Sequence, residues 1–137
     1  MARNRLKAKG RRESGSFVPI PHSVLKSSQF AALSFKAVKL LLDICADIRF
    51  GSGGSINNGD QACTISVMEK RGWKSKDTLL KAQQELEESG FIIRTRQGGR
   101  NLCNLFAVSF FAIDECEGKL DLSSTNRAPN DWKNWNP

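Results

Sequence analysis

The chain has 137 residues, 39% of them hydrophobic, and its 21 Lys or Arg against 14 Asp or Glu give a formal charge of +7. That length supports one domain with a real core and no second independent one. No apolar run approaches the ~20 residues that cross a bilayer, and the basic start leads into Phe17-Val18-Pro19-Ile20 rather than a long apolar segment. Neither a membrane helix nor a secretory signal is expected, and a cytoplasmic location follows.

Residues 1–16 hold Arg3, Arg5, Lys7, Lys9, Arg11 and Arg12 against Glu13 alone, which makes a flexible basic arm expected to stay disordered. Residues 17–109 are mildly basic, with 12 basic and 8 acidic groups, and residues 110–137 reverse the sign with 3 and 5. A polyanion met from one side fits this gradient, and a solvated leader is the competing reading. The expected organisation is an arm (1–16), a domain (17–109) and a C-terminal extension (110–137).

Pro19 and Pro21 hold the entry to the domain extended. A short helix is predicted over Ser23–Phe30. A long one starts at the N-cap Ser34 and runs to about Phe50, with Ala37, Val38, Leu41, Ile44, Cys45 and Ile48 at helical spacing. Gly51-Ser52-Gly53-Gly54-Ser55 stops it, Asn57-Asn58-Gly59 turns the chain, and Gln61-Ala62-Cys63 allows only a very short strand.

Thr64 is placed to cap a helix over Ile65–Arg71, which Gly72 ends. Trp73 is positioned to plug the corner. Ser75 caps a second helix over Lys76–Ser89, ended by Gly90, with Leu79, Ala82 and Leu86 on one stripe and Asp77, Lys81, Gln84 and Glu88 opposite. Phe91–Arg96 and Leu102–Ser109 alternate as strands around the glycine-rich, basic tip Gln97-Gly98-Gly99-Arg100-Asn101.

Helix, short strand, helix, turn, longer helix and hairpin together give an α+β fold of winged helix-turn-helix type. On Trp73-Lys74-Ser75-Lys76-Asp77-Thr78-Leu79, Glu85-Leu86-Glu87-Glu88-Ser89-Gly90-Phe91-Ile92 and Gly98-Gly99, the chain resembles bacterial and phage winged helix-turn-helix proteins, over about residues 34–109. Residues 112–119 and 128–132 are similar to the end of a little-characterised, mobile-element group of such proteins, from which no activity carries over. The sequence departs from the repressor-type motif in one respect. With Gly72 at the usual turn position, Thr78 and Lys81 would fall in buried slots, whereas one extra turn residue moves those slots to Leu79 and Ala82.

The resemblance implies that the second helix enters a major groove by its N-terminal half. Lys74, Lys76, Thr78, Lys81 and Gln84 are then the reading residues, suited to guanine or adenine edges. Glu85, Glu87 and Glu88 would repel DNA at the far end. Arg94 and Arg96, two apart on one strand, form a ridge with Arg100 at the wing tip that suits phosphate or a narrow minor groove. Salt bridges to Glu85 or Glu88 are their competing use, and a solvated face is that of the lysines. Arg3, Arg5, Arg11 and Arg12 resemble a minor-groove arm.

Cys45, Cys63, Cys103 and Cys116 form no C-x-x-C pair, three of them lie in apolar patterns, and reduced, buried thiols are expected rather than disulfides or zinc. His22 has no nucleophile or carboxylate motif around it, and no Walker loop, nucleophile elbow or metal-ligand helix appears. No enzyme activity and no cofactor are expected. The leading expectation is a non-enzymatic protein that binds double-stranded DNA in transcription or replication control of phage or plasmid type, with a homodimer as a plausible assembly because one module covers few base pairs. The alternative is a protein-interaction module, an adaptor or inhibitor using the wing and the C-terminal tail, whose Trp132 and Trp135 are expected first to dock on the domain's own surface and otherwise to serve a partner. Binding of RNA or single strands is weakly supported, because the chain has no Tyr and its Phe residues fall in core patterns.

Overall fold

A computed structural model describes residues 10–137. The described residues form an α+β fold with five helices and two small antiparallel hairpins. In chain order these are α1 (His22–Leu25), α2 (Ser28–Ala32), α3 (Phe35–Ala46), β1 (Phe50–Gly51), β2 (Gly54–Ser55), α4 (Ile65–Met68), α5 (Lys76–Glu88), β3 (Ile92–Arg96) and β4 (Leu105–Val108). Short 3₁₀ turns follow α4 at Glu69–Arg71 and close the chain at Cys116–Gly118 and Asp131–Asn134. No helix among the described residues is long and apolar enough to cross a membrane.

The single helix expected over Ser23–Phe30 is two one-turn helices. Ser27 breaks it: its hydroxyl donates to the Val24 carbonyl (2.6 Å) and accepts from the Phe30 amide (3.0 Å), so it ends α1 and caps α2. The long helix α3 starts where Ser34 caps it but stops at Ala46 instead of about Phe50. The last amides tighten onto Ile44 and Cys45, while the Asn57 side chain takes the Arg49 amide (2.7 Å) and donates to the Asp47 carbonyl (3.1 Å). Phe50, released from the helix, pairs in the β1–β2 hairpin and sets its ring edge-on to Phe111, with centroids 5.0 Å apart. The glycine run expected only as a stop is therefore the turn of a small hairpin.

The core lies where α3 and α5 pack against β3 and β4, with Leu40, Leu41, Ile44, Leu86, Phe91, Ile92, Phe106 and Val108 almost fully enclosed. Between α4 and α5, Gly72 adopts φ 101°, a left-handed conformation that glycine takes without Cβ strain. Leu79 and Ala82 are buried, Thr78 is half-buried and Lys81 is exposed, as the turn with one extra residue requires. Gly90 carries a second constraint besides φ 78°: a Cβ there would stand 2.7 Å from the Asp131 carbonyl group, so only glycine lets the chain end close over the end of α5.

The segment Gln61–Cys63 makes a single bridge to the main hairpin, between Gln61 and Phe106. Thr64 occupies the cap position of α4 but its side chain does not bond the helix; it faces the Ser66 hydroxyl at 3.1 Å. The hairpin β3–β4 is shorter than expected, with its second strand starting at Leu105 rather than Leu102. A register shift between Arg94 and Arg96, a Gly99–Leu102 bridge and an Asn104 side chain accepting from the Gly98 amide replace ladder pairing near the tip.

Residues 110–137 are part of the same body. Asn58, completely buried, accepts from the Val108 amide (2.8 Å) and donates to the carbonyls of Val108, Phe111 and Ala112, locking the end of β4 to the Asn57-Asn58-Gly59 turn. Trp132 is 4% exposed and stacks on Phe91 with centroids 5.8 Å apart, and Trp135 packs half-buried beside the core. Of the uses foreseen for the two tryptophans, Trp132 takes docking on the protein's own domain, as the lid over Phe91, which leaves it unavailable as a handle for a partner.

Candidate nucleic-acid interface

The segment joining α4 to α5 is held by a buried carboxylate. Asp43 on α3 accepts from the Trp73 indole N–H (2.7 Å) and from the Lys39 ammonium, which also donates to the Arg71 carbonyl (3.0 Å). Arg71 in turn pairs with Asp47. Trp73 thus plugs the corner as expected, and α3 holds the segment between α4 and α5 through charge-assisted bonds. A carboxylate so enclosed is tolerated because both oxygens are partnered.

Ser75 accepts from the Thr78 amide (3.2 Å) and starts α5 cleanly. Lys74 and Lys76 flank that start, both exposed and without an ion-pair partner among the described residues. Lys81 is exposed too, but it spans one turn to Asp77 at 3.1 Å, with both side chains 74% exposed. Such an i,i+4 pair in water contributes only a few tenths of a kcal/mol. Gln84 projects next to Lys81 on the same outward face, and Thr78 turns toward α3.

Two of the three acids at the far end of α5, Glu85 and Glu87, serve the fold, and Glu88 is exposed. Glu85 accepts from the Ser34 amide (2.7 Å) and its hydroxyl (2.6 Å), clamping the start of α3 onto α5. Glu87 pairs with Arg94 at 2.8 Å, and the Arg94 guanidinium lies over the Phe106 ring at 5.5 Å and reaches Gln97. Arg96 donates twice to the Cys103 carbonyl across the hairpin. The basic ridge expected of Arg94, Arg96 and Arg100 is thus divided. Arg94 and Arg96 brace the stem, whereas Arg100 is exposed at the tip with no ion-pair partner among the described residues. The competing use foreseen for Arg94 holds in kind, with Glu87 as the acid.

The hairpin tip stands beside α5. Leu80 on the helix and Gly99 and Leu102 on the hairpin line one hollow of about 410 Å³, which continues past Cys63 and Thr64 toward Lys76. On the opposite flank of α5, Phe35, Lys36 and Lys39 of α3 line a cleft of about 400 Å³ with Trp73, Lys74 and Thr78. Phe35, Lys36 and Lys39 were not singled out by the sequence, because the bland spacing of Phe35-Lys36-Ala37-Val38-Lys39 reads only as a helix start. In the arm, Arg11 and Arg12 are exposed and Arg12 lies over the Phe17 ring at 4.7 Å, while Arg3 and Arg5 lie outside the described residues.

All four cysteines are free. Burial pushes the Cys45 thiol up to about 12 from an ordinary 9.0, and burial reinforced by the negative charge of Glu87 does the same to Cys63. At neutral pH both are protonated, apolar fillers rather than nucleophiles. Cys116 is raised to about 11 by desolvation and then by Asp60. Cys103 is half-exposed rather than buried, since its backbone carbonyl serves Arg96. Among the described residues no group of three or more His, Cys, Asp or Glu is placed to hold a metal ion. Comparison with protein-family models, curated proteins and solved structures yields no match.

Proposed function

We propose that this chain is a winged helix-turn-helix protein that binds double-stranded DNA without catalysing a reaction, in transcription or replication control of phage or plasmid type. The carrying observation is the sorting of charge around α5. Lys74 and Lys76 at its start and Arg100 at the adjacent hairpin tip are exposed and unpaired, while Glu85 and Glu87 at its far end are occupied by Ser34 and Arg94. Free backbone N–H groups at the start of α5 add to the attraction for phosphate. Lys81 and Gln84 complete the outward face and reach base edges when the helix lies in the major groove.

The reading is narrower than a wholly basic recognition helix. Glu88 stands exposed on α5 beyond Gln84, and Asp77 offsets one cation at its start, so on α5 contact ends at Gln84 and is joined by the tip of the wing and the arm. The protein-interaction reading loses its strongest motive with Trp132 buried.

Fluorescence anisotropy with a labelled random-sequence duplex tests this. Binding at about 50 mM salt that falls steeply by about 200 mM is expected, and absence of binding at the lower salt overturns the proposal. Selection from a random duplex pool, repeated without residues 1–16, then reads out the arm and the assembly. Enrichment of a two-fold symmetric motif identifies a homodimer.

A further inference from the structure

Among the large apolar side chains on the surface, Phe35 stands apart: it is 94% exposed, and the next, Phe17, is 57% exposed. An unpacked aromatic usually sits on a mobile loop, but Phe35 occupies the first position of α3, where the backbone is held twice. Ser34 caps the helix through the Ala37 amide (3.2 Å), and its own amide and hydroxyl are both bound by Glu85 of α5. The backbone that carries Phe35 is therefore held to α5, while the ring itself is unpacked and contributes little to the fold.

The cleft beside it is cationic, although the Glu85 carboxylate lies one residue away on Ser34. The cleft that Phe35 borders with Trp73 and Thr78 is lined by Lys36, Lys39 and Lys74 and by no acid. Lys39 is committed to Asp43, but Lys36 and Lys74 have no ion-pair partner among the described residues. An apolar group flanked by two free cations complements a duplex, where a thymine methyl in the major groove lies between two phosphate backbones. Resting on the DNA-binding reading above, we infer that the first turn of α3 is part of the interface. Phe35 is its apolar base contact, directed at a thymine methyl, and Lys36 and Lys74 hold the flanking phosphates.

The test uses the full chain and its Phe35→Ala variant on two labelled duplexes, a random sequence and the sequence enriched from a random pool. The enriched duplex is also remade with uracil for thymine, which removes the C5 methyls. Because Phe35 is outside the core, its replacement leaves thermal unfolding unchanged, which is checked first. The inference expects Phe35→Ala to bind the random duplex as the parent does. On the enriched duplex it should bind about fivefold more weakly, a loss matched in the parent by the uracil duplex and absent from the variant on that duplex. Equal affinity of parent and variant on every duplex overturns the inference while DNA binding stands, and leaves the cleft to an acidic protein segment. A uniform loss on every duplex overturns it as well. Failure of the parent chain to bind any duplex removes both readings.

Discussion

The two ends of α5 make opposite use of charge. Toward its C-terminus, Glu85 and Glu87 are bound to Ser34 and Arg94, and the stem arginines of the adjacent hairpin are bound to Glu87 and the Cys103 carbonyl. Toward its N-terminus, Lys74 and Lys76 have no ion-pair partner among the described residues, nor has Arg100 at the hairpin tip, and Lys81 is engaged only by the exposed Asp77. Charge spent on packing contributes to stability and is unavailable to a ligand. Charge left free contributes little to the fold and is a reason to look for a polyanion.

This contrast can be broken by substitution. The largest expected effect lies on the packed side: Trp132→Ala removes the ring stacked on Phe91 and should lower unfolding free energy by roughly 3–5 kcal/mol in a denaturant titration. Loss of under about 1 kcal/mol would mean that the chain end is not part of the core. Next, Arg94→Ala should cost about 1 kcal/mol, because it orphans half-buried Glu87 and uncovers Phe106. Arg100→Ala should change stability by less than about 0.5 kcal/mol. Equal costs for the two arginines would erase the distinction between stem and tip.

A separate effect, confined to alkaline pH, concerns the buried thiols. Cys45 and Cys63 are held protonated in the folded chain up to about 12, whereas the unfolded thiols ionise near 9.0. The folded state then binds more protons than the unfolded one in that window. Stability from these thiols is complete below pH 9 and is lost as pH rises toward 12. Alanine at both positions should flatten the alkaline limb of the stability profile, and an unchanged limb would contradict the burial argument.

Local signals made much of the fold legible. Ser34 and Ser75 cap helices as their positions imply, and Gly72 and Gly90 adopt the left-handed conformations that end them. What failed was decided at a distance. Ser27 splits a helix that spacing alone would continue, and Asn57 draws the chain out of α3, whereas Trp132 docks on its own domain as one of the foreseen uses, against a partner, Phe91, that spacing could not name. The candidate site divides in the same way. Lys74, Lys76 and Arg100 were legible because nothing else claims them, whereas the fate of Arg94 depended on Glu87, and Phe35 gained meaning only from the neighbours that α5 brings to it.

The proposal to be tested is that the exposed cations at the start of α5 and at the hairpin tip bind duplex DNA. Its most direct test is the salt dependence of binding to a random duplex by the parent chain and by Lys74→Ala/Lys76→Ala/Arg100→Ala. If each of the three cations meets a phosphate, the log–log slope flattens by about 3 and affinity at about 100 mM salt falls correspondingly. A triple variant with the parent's slope and affinity would contradict the claim.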